Sequence, residues 1–440
     1  MSDGFEAGRR MYRLAEKIFP YTRSITGEGV RQTLKDLADY IAPAGAELKI
    51  SAVPSGTQVF DWTVPKEWKI REAYIENEAG EHIIDMKDNN LHVLGYSVPV
   101  DEWVDLNELK EHIYVEDGQP DVIPYVTSYY KERYGFCMSK NMRDSLPEGR
   151  YHMYIDSELF DGVLNYAETV IKGETDEEIL FSTYFCHPSM ADNECSGPAL
   201  AAELITTLAA AKKLRYTYRF VFVPETIGSI TYLSQDDHVP YFKEHVKAGF
   251  VLSCVGDDLD YSMVESRYGD TYADRVLGNV LKYKDKHTIY DFHERGSDER
   301  QYNAPGVDLP VVCFCRSKFG EFPEYHTSAD NMTFVSVEGF QGAYDAMVEV
   351  IEILEKNAYY RVKVLCEPQL GKRGLYSDIS RKGSYDGIMV QRDVLSYADG
   401  RNDLLDLSER IGVPVSEITD IVDRLVENDL LEKVDGSQVG

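Results

Sequence analysis

Four short apolar runs constrain this chain more than any other feature: "EILFSTYF" ending at Phe185, "YRFVFVP" at Pro224, "AGFVLSCVG" at Gly256 and "LPVVCFC" at Cys315. Each has strand length and is rich in β-branched and aromatic residues, and helical stretches such as 198–212 lie between them. Buried strands alternating with helices predict an α/β layer on a largely parallel sheet, whose functional groups collect at the strand ends.

The flanks read differently. Residues 5–19 and 28–41 carry apolar positions at helical spacing, with the turn-rich "PYTRSITGEG" between them. From 58 to 135 short alternating runs broken by Gly, Pro and Asn predict a small antiparallel β unit. Val337–Lys356 has the pattern of a long amphipathic helix. After the loop "CEPQLGKRGLYSD", residues 387–399, 403–411 and 416–428 form three short amphipathic helices, followed by "LLEKVDGSQV" as a strand or wing. At 440 residues the chain exceeds one ordinary core. The expected domains are 1–57 with 136–370 as a discontinuous catalytic body, 58–135 as a β-rich insertion, and 375–440 as a winged helix.

Charge narrows the function classes. The chain has 76 acidic and 46 basic residues, a formal charge of −30, which repels polyphosphate. Residues 375–440 hold 14 acidic against 7 basic side chains, and the recognition-helix position carries Glu417, Asp420, Asp423 and Glu427 with a single Arg424. That is the reverse of a phosphate-binding footprint and argues against a transcriptional regulator. A protein partner or homo-oligomer contact through Ile418, Ile421, Val422 and Leu425 is the expectation instead. Seven cysteines without CxxC pairs read as reduced thiols of a cytoplasmic protein. No signal-type h-region or apolar run of membrane-spanning length is present, so no membrane partner is expected.

The chemistry sits at the ends of the apolar runs. In "STYFCHPSMADNECSGPA" a strand ends at His187, and Asp192, Asn193 and Glu194 precede a helix with Pro198 in its first turn. An imidazole and a carboxylate there can hold zinc, or the His is merely structural. In "VFVPETIGS" Glu225 follows a buried strand, where an unpartnered carboxylate is costly. It reads either as a general base or as a helix N-terminal acid. "EFPEYHTSADN" places His326 in a polar loop. "GSDER" supplies Asp298 and Arg300, which either recognise a substrate terminus or belong to a solvated charged loop.

In this order the segments resemble the zinc aminopeptidase family that includes bacterial leucyl aminopeptidases and whose fold glutaminyl cyclases share. "FDWTVPKEW", "NNLHVLGYSVPV", "IPYVTSYYKERYGFC" and "STYFCHPSMA" further resemble an aminopeptidase-like bacterial subfamily with a β insertion and a C-terminal winged helix, often associated with surface polysaccharide gene clusters. The resemblance implies a three-layer α/β sandwich with a mixed central sheet, and a zinc hydrolase acting on a small peptide or amide. It implies His187 and His326 as zinc ligands, Glu225 as general base, and a carboxylate ligand that is either Asp192 or Glu194. Two positions depart from the pattern. The bridging aspartate of two-zinc relatives falls on Asn193 and their second glutamate on Thr226, so one zinc is expected, with a second only if Asp257 or Asp258 folds back. A metal-binding scaffold that has lost catalysis is the competing class. The aromatic residues of the insertion, Trp62, Trp68, Trp103 and Tyr129–Tyr130, form either its core or a cap over the cleft.

Overall fold

The computed structural model describes residues 4–235, 237–375 and 386–435. Two compact units divide the chain, Met1–Ala273 with Thr288–Asp345, and Asp274–His287 with Ala346–Gly440.

The four apolar runs form the centre of the first unit. Thr217–Val223, Glu178–Tyr184, Val246–Leu252 and Val311–Cys315 lie side by side and parallel. Their register brings Phe220, Phe181 and Phe250 into one row, with ring centroids 4.9 and 5.4 Å apart. Antiparallel strands complete a mixed eight-stranded sheet: Val163–Ile171 and Lys49–Pro54 on one side, and Ser262–Val264 on the other, itself parallel to Thr288–Tyr290. The helices Glu6–Ile18 and Glu28–Ile41 pack on the helix Gly197–Ala209. Arg10 and Tyr40 reach from the first two to the buried carboxylate of Glu203 on the third.

The insertion is a separate antiparallel sheet, in the order His82–Asp85, Glu67–Asn77, Arg150–Phe160, Val100–Asp105. Arg150–Phe160 therefore belongs here and not to the α/β layer, which carries the insertion beyond residue 135. Its burial alternates, with Tyr151, Met153 and Ile155 inward and Arg150, His152 and Tyr154 outward, as expected of a sheet with one solvated face. Of the aromatic residues expected in this core, Trp68 is buried, whereas Trp62, Trp103 and Tyr130 are exposed.

In the second unit the helices Asp386–Tyr397, Leu404–Ile411 and Val415–Glu427 precede a strand, Leu431–Val434, that pairs antiparallel with Tyr359–Val362. The wing thus recruits a strand from before the segment where sequence placed the module. The last residues of the expected wing, 436–440, lie outside the described residues. Ile418, Ile421, Val422 and Leu425 are buried against the chain's own elements, contrary to the partner contact expected of them, and Glu417, Asp420, Asp423 and Glu427 face solvent. No helix among the described residues is long and apolar enough to cross a membrane.

Candidate active site

Because the central strands are parallel, their C-terminal ends share one rim, and the loops leaving them meet there. The first loop carries Cys186 and His187 after the strand Glu178–Tyr184. It then enters a single π turn, Ala191–Ser196, before the helix Gly197–Ala209. Gly197 permits this path, because a Cβ there would collide with the Leu252 carbonyl oxygen and Thr183 Oγ1.

His187 is 4% exposed. Its Nδ1 lies 2.6 Å from Glu194 Oε1 and 3.2 Å from Cys186 Sγ, and its Nε2 is 3.8 Å from Glu225 Oε2. Glu194 Oε2 accepts the Cys186 N–H. Glu194 Oε1 is buried with no hydrogen-bond partner, although it stands at ion-pair distance from the imidazole. Burial opposes the imidazolium, but Glu194 and Glu225 outweigh it and hold His187 above its ordinary pKa. Asp192, the other candidate carboxylate, turns elsewhere. Its Oδ1 accepts the Gly256 N–H, and burial together with Asp257 and Asp330 pushes its pKa well up.

Glu225 follows the strand Thr217–Val223 and gives its N–H to Cys186 Sγ at 3.3 Å. Burial above all, reinforced by Asp298 and Glu194, raises its carboxyl to about 8. The next residue, Thr226, is held at φ +62°. Its N–H donates to Asp298 Oδ1 at 2.7 Å, and its Oγ1 accepts from Arg300 Nη2 at 2.6 Å. Asp298 also accepts from Ser229 Oγ at 2.8 Å. The "GSDER" loop therefore braces the turn that presents Glu225.

His326, at φ +57°, lies with its ring centroid 5.1 Å from that of His187. Burial, and then His187, lowers its pKa to about 3, so it is neutral. The insertion closes over both histidines. Pro124 bridges to Thr327, Tyr125 donates its N–H to the His326 carbonyl at 2.9 Å, and the Tyr125 ring lies 4.4 Å from His187 and 5.3 Å from His326. Tyr125 and Tyr129 join hydroxyls beside it.

The donors at His187 fit a metal ion. Cys186 Sγ, a His187 ring nitrogen and a Glu194 carboxylate oxygen lie within 4.8 Å of one another, all buried. One thiol, one imidazole and one carboxylate are zinc-binding chemistry, and the buried Glu194 Oε1, 2.6 Å from His187 Nδ1, is an oxygen that a cation would satisfy. A second metal finds no comparable set among the described residues. Both oxygens of Asp257 are taken by Ser317 and Leu259, Asp258 is exposed, and Asn193 donates its amide to the Tyr184 hydroxyl at 3.0 Å.

Of the residues picked from sequence, the structure gathers His187, Glu194, Glu225 and His326, sets Asp298 and Arg300 beside them, and turns Asp192 away. Sequence reasoning missed Cys186, Tyr125 and Asp330. Asp330 accepts the N–H groups of Asp192 and Asn193 at 2.7 and 3.1 Å, tying the His326 loop to the π turn. It missed Arg23 too, buried at 1% exposure, which donates from Nε to the His187 carbonyl at 3.1 Å. The available signals were adjacency for Cys186 and position in the "YHTSAD" run for Asp330.

An α/β body with these groups at its strand ends, joined to a winged helix, belongs to the aminopeptidase-like class of fold. A zinc aminopeptidase from Bacillus subtilis superposes with a TM-score of 0.58 at 13% identity, covering 80% of this chain and 95% of that one. An M28 peptidase precursor from Shewanella amazonensis superposes at 0.56 and 12% identity, covering 83% of this chain and 96% of that one. Identities this low show the fold alone. The chain belongs to the family described as a domain of unknown function (DUF4910), whose model matches residues 12–357, and a winged helix-turn-helix model matches 357–433. A Clostridium acetobutylicum protein, provisionally named a polysaccharide biosynthesis protein with aminopeptidase-like domain, is 44% identical over 98% of this chain and 97% of its own. A crystal structure from that organism, provisionally named a peptidase, has a TM-score of 0.90 at 43% identity, covering 98% of this chain and 97% of that one.

Proposed function

We propose that this chain is a zinc-dependent amide hydrolase of the aminopeptidase type, acting on a small peptide or other amide, with Glu225 as general base. The observation that carries this reading is the convergence of Cys186, His187 and Glu194 on one point beside Glu225. These three would hold the ion, with neutral His326 across the histidine pair. When bound, zinc supplies a Lewis acid for the amide carbonyl and makes a water acidic enough to give up its proton near neutrality.

The remaining work falls to the chain itself. Glu225, partly buried and raised to about 8, has a basicity suited to taking a proton from water and returning it to the leaving amine. The Asp298 brace keeps its turn in place. Tyr125, lying over both histidines, limits water and caps the length of substrate the cleft admits. The Clostridium relative's name supports a substrate met in polysaccharide biosynthesis.

The test is metal content of the purified protein, followed by hydrolysis of aminoacyl and N-acylaminoacyl amides by wild type and Glu225→Gln. Zinc and a loss of at least a hundredfold in the variant are expected from a general-base role. Absence of zinc, or two equally inactive proteins, refutes the proposal. Asn193 and Thr226, which replace carboxylates of the two-zinc relatives, favour a second reading as a metal-binding scaffold. That reading predicts bound metal without Glu225-dependent turnover.

A further inference from the structure

A guanidinium stands near Glu225, among carboxylates. Three charged residues of the "GSDER" loop reach this region. Asp298 and Glu299 are 0% exposed, whereas Arg300 is partly exposed. The two carboxylates also spend an oxygen each on the protein. Asp298 Oδ1 takes the Thr226 N–H and the Ser229 hydroxyl, and Glu299 Oε1 takes the N–H groups of Gly296 and Ser297.

Arg300 is used differently. Among the described residues its side chain makes one hydrogen bond, to Thr226 Oγ1, and its Nε is buried without a partner. Among the described residues no carboxylate lies within ion-pair distance of it, although its charge is near enough to oppose the rise in the pKa values of Glu225, Asp298 and Glu299. A guanidinium presents five donors in a planar fork suited to a carboxylate. This one has most of that fork unspent, and it is hydrogen-bonded to Thr226, the residue that follows the proposed base.

We infer that this cleft recognises a carboxylate on the substrate, held by Arg300 next to the amide to be cleaved. The inference rests on the reading of Glu225 as base and names the substrate class of that site, an N-acylated amino acid or an amide whose leaving amine bears the carboxylate. In its hydrolysis water adds to the amide carbonyl carbon, the C–N bond breaks, and the nitrogen leaves with the proton. The products are one carboxylic acid and one amino acid. Arg300 is then the specificity-determining residue, and the fixed Thr226 turn sets its distance from Glu225.

The test is binding, measured by thermal shift and saturation-transfer NMR on the full-length Glu225→Gln protein as purified, in which turnover is suppressed. Three matched sets of probes are compared: N-acetylamino acids, the same compounds as C-terminal amides, and free-amine amino acid amides. The N-acetylamino acids should bind at least tenfold more tightly than either amide set. Arg300→Met should abolish that preference, and Arg300→Lys, which keeps the charge but not the fork, should retain part of it. The comparison among probes on a single protein does not depend on any Arg300 variant folding. Equal or tighter binding of the free-amine amides, no preference among the sets, or a preference that survives Arg300→Met overturns the inference. The hydrolase reading fails on metal content and on Glu225-dependent turnover of the wild type, which are measured separately from this ranking of probes.

Discussion

Asp298 is the buried acid whose removal has the most calculable consequence. Burial pushes its carboxyl from 3.8 to about 7, and Glu299 adds to the rise, against the opposing effects of the Thr226 N–H, Ser229 and Arg300. The folded protein therefore binds a proton at this site between about pH 4 and 7 that the unfolded chain has released. Its stabilising contribution is fully present below the unfolded value and is lost as pH rises through the folded one. Each pH unit between the two is worth about 1.4 kcal/mol, so the site costs the fold roughly 4 kcal/mol by pH 8. Asp298→Asn keeps the shape and an acceptor for Thr226 but cannot ionise. Urea unfolding at pH 5, 6, 7 and 8, monitored on the first transition of this two-unit chain, should show stability falling with pH more steeply in wild type than in the variant, by up to roughly 2.5 kcal/mol across the range, since about two of the pH units sampled lie below the folded value. The slope decides the matter, because Asp298→Asn also weakens the hydrogen bonds at Thr226 and Ser229 at every pH. Parallel pH profiles would refute the claim that Asp298 is held protonated by its surroundings.

Three further outcomes follow from the site and the second unit. Cobalt-loaded wild type should show a near-ultraviolet thiolate-to-metal absorption band, and Cys186→Ser should lose it while still binding metal more weakly; a band unchanged in the variant would remove Cys186 from the coordination sphere. Arg23 donates to the carbonyls of His187 and Ile18 and to Cys195 Sγ from a fully buried position. Arg23→Met should therefore cost roughly 2–4 kcal/mol and weaken metal retention, read by urea unfolding and metal content, since it leaves the His187 carbonyl without its donor. The exposed carboxylates of the Val415–Glu427 helix should leave duplex DNA unshifted in a gel at low salt, and a salt-sensitive shift would contradict that electrostatic reading.

The α/β body was legible because both its strand positions and its order follow from burial. A strand covered on both faces is buried along nearly its whole length and mostly apolar, and Glu178–Tyr184, Thr217–Val223, Val246–Leu252 and Val311–Cys315 are, with only Arg219 and Lys247 less than buried. Arg150–Phe160 was misplaced because it is half-buried and alternates. Its partners lie some 50 and 80 residues upstream, and no local pattern specifies pairing over that distance. Tyr359–Val362 escaped notice for a related reason, having a mixed burial pattern and a partner near the C-terminus.

The site was legible to the extent that strand ends announce themselves. His187, Glu225 and His326 each break an apolar or structured run with a polar group that needs a reason to be there. The choice between Asp192 and Glu194 could not be made that way, because both sit in one helical turn. Residues two apart in a helical turn do not share a face, so one carboxylate meets His187 and the other meets Gly256, and only the turn's rotation decides which. Part of the backbone strain falls on the same rim, although Phe60, Tyr96, Asp308, Cys366 and Asp429 also adopt positive φ elsewhere. Ser189, Thr226, Cys254 and His326 all adopt positive φ between +47° and +62°, and each lies in a loop leaving a central strand or facing one. Strain of about 1–3 kcal/mol at each persists only where the surroundings over-determine the backbone. Asp298 on Thr226 and Tyr125 on His326 are such determinants. Four strained loops from distant parts of the chain meeting on one rim are difficult to explain by packing, since a core that needed only volume would have relaxed them. They are the expected cost of holding Cys186, His187, Glu194 and Glu225 close enough to act together.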